Sequence, residues 1–314
     1  MNNPIKSAAI LVTYNPVEST LDVIKGLLKM NVHLIVVDNG TKVDNLYINE
    51  IEKELMKEQE THFLKLEKNE GLATAQNKGI KLCTSLSNEF IFFFDQDTIL
   101  PNNYISIMEK SFLDYEANYN EKLGILAPNY FDRNTKEYAH YAFLTDKSYE
   151  DRIFNNEKYM EVSFVISSGS MMRMSVINEI GTYIDDFFID QIDTEYSLRM
   201  KKSGYKIIAT SEVLLNHTIG DREKKKLFGL TIKPNHHSEL RKYYIFRNGK
   251  VLIDLYGKEY YGFKVLMYKR FIHDILGILF FEKNKVTKIK SIKKGLTDSK
   301  LLKEKIERKS YYYE

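Results

Sequence analysis

One cysteine stands in the 314 residues, Cys83, so no internal disulfide can form; the usage suits a reducing cytosol. No window reaches the roughly 18 uninterrupted apolar residues that a membrane-spanning helix needs. The opening MNNPIKSAAILVTYN holds too short an apolar run for a signal peptide. Five prolines and 15 glycines form no linker-like cluster, and no repeat appears. A single body with a tail is therefore expected rather than a string of domains. Net charge is also small, at +3.

Present in quantity are apolar residues at 43% and aromatics at 13%, a globular composition. The small net charge hides an asymmetry. Residues 222–314 carry 24 Lys and Arg against 10 Asp and Glu, whereas the rest carries 22 against 33. An acidic body with a basic tail points to an anionic surface for the tail.

Apolar runs at SAAILVTYN (7–15), VHLIVVDNG (32–40), HFLKLEKNEG (62–71) and EFIFFFDQD (89–97) alternate with helical spacing in PVESTLDVIKGLLKM, TKVDNLYINEIEKELMKEQE and GLATAQNKGIKLCTSL. This alternation predicts an α/β fold with a mostly parallel sheet flanked by helices. Ligands in such sheets bind beyond the carboxyl ends of the strands. Thr13, Tyr14 and Asn15, then Asp38 and Asn39, then Asp95, Gln96 and Asp97 all fall there and should converge on one crevice. Further on, LGILAPNYFD, EVSFVISSGSMMRM and KIIATSEVLLNHTIGD read as strands, and DTEYSLRMKKSGY as a helix.

Two carboxylates in D-x-D spacing at a strand end, Asp95 and Asp97, can turn toward one hard cation. By themselves they equally describe a solvated turn. Asp38-Asn39-Gly40 suits a turn as well. Gly71 opens a helix whose N-terminus favours phosphate, or which is simply capped there. Glu195 and Arg199 lie four apart, the spacing of a helical ion pair.

Taken in order, ILVTYN, VVDNG, NEGLATAQNKG, FFFDQD, SSGSMM, DQIDTEYSLR and NHTIG resemble the family-two inverting glycosyltransferases with the GT-A fold. Bacterial rhamnosyltransferases of surface polysaccharide synthesis, capsule or cell wall, are the nearest likeness, over roughly residues 7–250. The resemblance implies a Rossmann-like nucleotide-binding fold and a nucleoside-diphosphate sugar donor. It implies Mg²⁺ or Mn²⁺ held by Asp95, Asp97 and His217. Donor contacts fall to Thr13, Tyr14, Asn15, Asp38, Asn39, Asn69, Gly71, Gln76, Asn77, Asp95, Gln96 and Arg247, with Arg241 a companion. Gln76 stands where the family carries a small or basic residue, which removes a cationic contact. Ser168, Gly169 and Glu195 would face the acceptor and the transferred sugar. Asp193 is the implied base; Asp190 is the runner-up, because Ile192 replaces the acid usual before the base.

The expected reaction moves a sugar, L-rhamnose from dTDP-rhamnose by resemblance, onto a hydroxyl of a lipid-linked glycan. A UDP-sugar donor, with galactofuranosyl or other hexosyl transfer, is the alternative. A catalytically silent nucleotide-binding scaffold is the alternative of another class, to which the intact acids are opposed. A nucleotidyltransferase would carry glycine and lysine after the first strand, and VTYNPVES has neither. Residues 1–250 are expected to form the catalytic domain and 251–314 a helical, basic appendage. That appendage either lies on a membrane interface or dimerises. Its basic and aromatic residues carry no nucleic-acid recognition motif. The expected location is cytoplasmic, peripheral at the inner face of the cell membrane.

Overall fold

The computed structural model describes residues 6–132, 135–217, 225–227 and 230–309, with the backbone alone at His217, 226, 227 and 230–232. The strands are β1 Ser7–Thr13, β2 His33–Asp38, β3 Thr61–Lys65, β4 Phe90–Asp95, β5 Leu123–Asp132, β6 Glu137–Tyr138, β7 Tyr141–Leu144, β8 Tyr149–Arg152, β9 Tyr159–Val162, β10 Met171–Arg173 and β11 Lys206–His217. The helices are α1 Glu18–Leu28, α2 Leu46–Leu55, α3 Leu72–Ser85, α4 Tyr104–Asn118, α5 Met174–Ile180, α6 Ile192–Lys202, α7 Glu239–Tyr256, α8 Tyr261–Phe281 and α9 Lys285–Arg308.

Nine strands form one mixed, mostly parallel sheet in the order β3-β2-β1-β4-β10-β5-β11-β9, with β6 on the edge of β5. The runs Ala8–Leu11 and Ile91–Phe93 are wholly buried, as expected of strands covered on both faces. α1 buries Leu21, Ile24 and Leu27 of its apolar spacing, Leu28 is half-buried, and Val17, just before the helix, is exposed. Asn45 caps α2 by accepting from the N–H groups of Tyr47 and Ile48. Cys83 is buried on α3, and burial pushes its thiol up to about 12, which keeps it protonated.

One sequence expectation needs correction. The run EVSFVISSGSMMRM is two short antiparallel strands, β9 and β10, not one strand. Between them the chain turns where Ser170 N–H closes on Ser167 O and Gly169 takes φ +78°, and residues 168–170 bond Phe93 of β4. α4 and the β7–β8 hairpin have no counterpart in the sequence reading.

The C-terminal helices pack closely on one another and on the body. α7 runs unbroken across residue 250. α9 approaches it at Gly295, where a Cβ would sit 2.5 Å from Tyr243 O. Lys242, fully buried on α7, pairs with Asp274 of α8 at 2.7 Å and with Glu282 just beyond α8 at 3.4 Å. Lys288 of α9 completes this ion cluster on Glu282 at 2.7 Å. Each buried charge has an opposite partner, the condition for tolerating it. Among the described residues, no helix is long and apolar enough to cross a membrane.

Candidate active site

Register brings the polar strand ends together. Thr13 lies opposite Asp38, and Val12 opposite Asp95, so β2, β1 and β4 finish at one level. β1 leads to β2 on one side and neighbours β4 on the other, the reversal point where such sheets open a crevice. Thr13 Oγ1 donates to Asp38 Oδ1 at 3.1 Å, and Thr41 N–H donates to Asp38 Oδ2 at 3.0 Å. The Thr41 hydroxyl also reaches Asp38 and accepts from Asn15 N–H at 2.9 Å. Asp38 therefore ties the loop after β1 to the loop after β2. Tyr14 and Gln96 bind reciprocally, backbone to side-chain amide, at 2.9 and 3.3 Å.

The turn after β4 is held from behind by Ser168. Its hydroxyl accepts from Asp95 N–H at 3.2 Å and meets Thr98 Oγ1 at 2.7 Å. Ser168 O accepts from Tyr130 Oη at 2.6 Å. Gly169 packs where a Cβ would come 2.5 Å from Leu215 and 2.9 Å from the Tyr104 hydroxyl, so it serves close packing behind the turn. Asp97 projects from this turn as an exposed residue, and Asp95 is partly buried.

Asp193 enters from the first turn of α6. Its Oδ1 is buried without a hydrogen-bond partner among the described residues. Desolvation, then the charge of Asp95, with a smaller contribution from Asp190, pushes its carboxyl up to about 7. Ser167, through its N–H and hydroxyl, works in the opposite direction. Gln76 Nε2 donates to the Ser167 hydroxyl at 3.3 Å, behind this arrangement. Arg241 of α7 supplies the facing cation. It grips Asp190 with Nη2–Oδ1 at 2.5 Å and Nε–Oδ2 at 3.2 Å, and it also feels Asp95. Two carboxylates, from β4 and from the loop before α6, thus face one arginine, with Asp193 of α6 beside them.

The loop that delivers Asp193 is strained. Phe188 has φ +63° and ψ −64°, and Ile189 N–H bonds Phe187 O at 2.7 Å, a tight three-residue turn of the rare positive-φ kind. Asp190 and Gln191 follow with φ +64° each. Such residues cost roughly 1–3 kcal/mol apiece and persist where the surroundings impose them. Gly71 packs against the loop so closely that a Cβ would lie 2.6 Å from the Phe188 ring, and Leu72 N–H donates to Phe188 O at 2.6 Å.

The other predicted residues fall around this centre. Asn39 Nδ2 donates to Asn69 Oδ1 at 3.1 Å, and Gly71 N–H donates to the same oxygen at 3.0 Å, so these three shape the entrance to α3. Asn77 exchanges hydrogen bonds with the backbone of Tyr183 and donates to Asp185 at 2.8 Å. Glu195 is 1% exposed and receives Arg199 on both oxygens at 3.1 and 2.9 Å, with Tyr256 Oη adding a bond at 2.9 Å. That is the ion pair its spacing suggested, directed into the core. Arg247 donates Nη2 to Asp186 O at 2.6 Å and Phe187 O at 3.3 Å, so Arg241 is the arginine beside Asp95. The His217 side chain lies outside the described residues; its backbone pairs with Asp132. Among the described residues, no group of three or more Asp, Glu, His or Cys converges on one cation position. Thr41, Ser167 and Asn248 are site residues that sequence reasoning did not single out: Thr41 carries no charge or motif spacing, whereas Ser167 opens the SSGSMM run and Asn248 follows Arg247 in the Tyr-Tyr…Arg-Asn run 243–248.

Comparison with known proteins agrees with this architecture. The sequence model of glycosyl transferase family 2 matches residues 8–181. The dTDP-rhamnosyl transferase RfbF of Shigella flexneri is 32% identical over 248 residues, 78% of this chain and 79% of that protein. Among solved structures, residues 1–349 of S. aureus TarS superpose with a TM-score of 0.53 at 13% identity, covering 95% of this chain and 72% of that one. The chain spans 40% of the longer TarS chain. GalNAc-T7 with UDP, GalNAc and Mn²⁺ gives a TM-score of 0.58 at 14% identity, over 99% of this chain and 59% of that one. The mannosyltransferase PcManGT of Pyrobaculum calidifontis, with GDP-Man and Mn²⁺, gives 0.53 at 10% identity, over 98% and 81%. These structural likenesses establish the fold, and the sequence matches establish the family: the chain belongs to glycosyl transferase family 2 and is a glycosyltransferase of GT-A fold.

Proposed function

We propose that the protein transfers a sugar from a nucleoside-diphosphate donor to an acceptor hydroxyl with inversion, assisted by a divalent cation. The observation that carries the reading is Asp193 Oδ1, a buried carboxylate oxygen without a partner, beside Asp95 at the mouth of the sheet. Its basicity is raised, so it can accept the acceptor's proton as that oxygen attacks the anomeric carbon. One displacement inverts the configuration. Asp38, through the Thr13 and Thr41 hydroxyls, sets the loops that receive the nucleotide.

The donor set near Asp95 fits a hard cation. It consists of carboxylate oxygens, and Asp95 and Asp193 repel one another without positive charge between them. Asp95 and Asp97 would hold Mg²⁺ or Mn²⁺, with His217 as a further donor. Two protein carboxylates suffice for an ion that completes its shell with water and phosphate. Once bound, the cation would neutralise charge on the departing diphosphate.

The 32% identity with a dTDP-rhamnosyl transferase supports dTDP-rhamnose as donor, and we take a growing, lipid-linked polysaccharide as the acceptor. A UDP-sugar is the second reading, supported by the fold shared with GalNAc-T7 bound to UDP. A thermal-shift panel of dTDP-rhamnose, UDP-hexoses and UDP-galactofuranose with Mn²⁺ or Mg²⁺ separates them. Selective binding stabilises the folded state, by about 2.7 kcal/mol at a hundredfold excess over Kd. The largest rise in Tm is expected with dTDP-rhamnose; a larger one with a UDP-sugar selects the second reading.

A lipid-linked acceptor places the enzyme at a membrane, and α8 offers a matching surface. Tyr261, Tyr268, Ile272 and Leu279 are solvent-exposed and fall on one line of the helix at 3.6 residues per turn. Lys264 and Lys269 flank them, and the helix's only acid, Asp274, is buried against Lys242. A rim of one sign opposes pairing of two copies and suits an anionic bilayer. Sedimentation with phosphatidylglycerol vesicles is expected to carry the protein down, and Ile272→Glu with Leu279→Glu to release it. Undiminished binding by the double variant moves the contact elsewhere, and a dimer that the double variant disrupts assigns the face to a second copy.

A further inference from the structure

We infer that Asn248 is a positioning residue for the transfer reaction: with Arg247, Tyr244 and Arg241 on α7 it clamps the strained loop 186–191 in the shape that aims Asp193 into the crevice. For its catalytic consequence the inference rests on the reading of Asp193 as base; its structural part stands apart from that reading.

Asn248 is fully buried, and its Nδ2 lies 2.9 Å from each of three carbonyl oxygens, those of Phe187, Ile189 and Asp190. One amide group thus gathers the carbonyls of a loop in which Phe188, Asp190 and Gln191 all take positive φ. Phe187 O has further donors in Ile189 N–H and Arg247 Nη2, so it is the carbonyls of half-buried Ile189 and Asp190 that would lose this donor and favour another backbone path. The amide's orientation is itself determined, because Arg247 Nε donates to Asn248 Oδ1 at 2.9 Å and leaves Nδ2 toward the loop. The same guanidinium binds Asp186 O and lies over the Tyr244 ring at 4.6 Å. Tyr244 in turn stacks on Phe188, with centroids 4.9 Å apart and planes at 12°.

Helical geometry places residues 241, 244 and 248 on one face of α7. That face reads the loop from end to end: the Asn248 amide on its carbonyls, the Tyr244 ring on Phe188, the Arg241 fork on Asp190. Lys305 of α9 and Lys309 just beyond it add bonds to Asp186 at 2.5 and 3.2 Å. Gly71 and Leu72 support the opposite side. Two residues after Gln191, the same chain direction presents Asp193. The residues matched by the family's sequence model end at 181, so loop and clamp both lie beyond that match. The basic C-terminal helices therefore carry part of the site's geometry.

Hydrogen exchange and kinetics on the full chain test this. In Asn248→Ala, amides of 187–193 are expected to exchange at least about tenfold faster, with β1, β2 and β4 unchanged. Its kcat is expected to fall about 10–100-fold while donor KM stays within about threefold, because misplacing a base by about 1 Å costs that much. Asn248→Asp conserves shape but turns a carboxylate toward three carbonyls, so its loss should be larger; a packing role alone predicts that it behaves like the parent. Should Asn248→Ala fail to fold, Arg241→Lys keeps the charge, loses the fork, and is expected to lower kcat with KM unchanged. Parental exchange at 187–193 in these variants overturns the clamp. Faster exchange with parental kcat overturns the positioning role. In that event, an inactive Asp193→Asn shows that the base stands and the clamp is dispensable, and an active one shows that the base reading has fallen.

Discussion

Asp193→Asn is expected to lower kcat by about 10²–10⁴-fold, the usual contribution of a positioned proton acceptor, and to leave donor affinity within about twofold. Asn occupies the same space and cannot accept the proton. The substitution also has a stability signature of opposite sign. The folded carboxyl titrates near 7, above its usual 3.8, so the fold prefers the protonated form. Stability from this preference is fully present below about pH 4 and is lost as pH rises through about 7. A rise of that size is worth about 4 kcal/mol at most. A neutral amide escapes that loss. Thermal melts should therefore coincide near pH 4, with the variant melting higher at pH 8. A variant that melts lower at pH 8 would mean that ionised Asp193 stabilises the fold, and the base assignment would fail. In the wild-type enzyme kcat should rise with pH through a limb near 7, since only the ionised form accepts a proton.

Asp97→Ala is expected to remove the metal dependence of donor binding, weakening donor affinity in saturating Mn²⁺ by on the order of 100-fold. With a chelator present, variant and parent should bind alike. Asp97 is exposed and lies outside the core, so little stability is at stake. Asp95→Asn should do the same and more. Asp95 is the foremost charge raising the Asp193 carboxyl, so removing it should shift the acid limb of kcat to lower pH. Calorimetry with and without Mn²⁺ measures the first effect, and a pH profile the second. Unchanged affinity of Asp97→Ala in the presence of metal would reject the cation role of this pair.

The layered α/β body and the mouth of its crevice are legible in the residues alone. Four apolar runs alternating with amphipathic segments admit few other packings, and polar residues at strand ends collect where the strands end. Local chemistry also announced the Glu195–Arg199 pair, since four residues on a helix bring side chains together whatever surrounds them. Which groups face one another across long separations was settled by the packing of distant elements. Ser168 supports Asp95 from 73 residues away, and Asn248 holds Asp190 from 58 away. Arg247 turned to the loop backbone while Arg241 came to stand beside Asp95, a distinction that two arginines on one helix cannot make in sequence. The run 161–174 read as one strand because its composition is apolar, yet the turn at Ser167–Ser170 divides it. Periodicity and composition act over a few residues, so they govern elements. The strain at Phe188 and the basicity of Asp193 come from neighbours distant in the chain, which only the folded arrangement supplies.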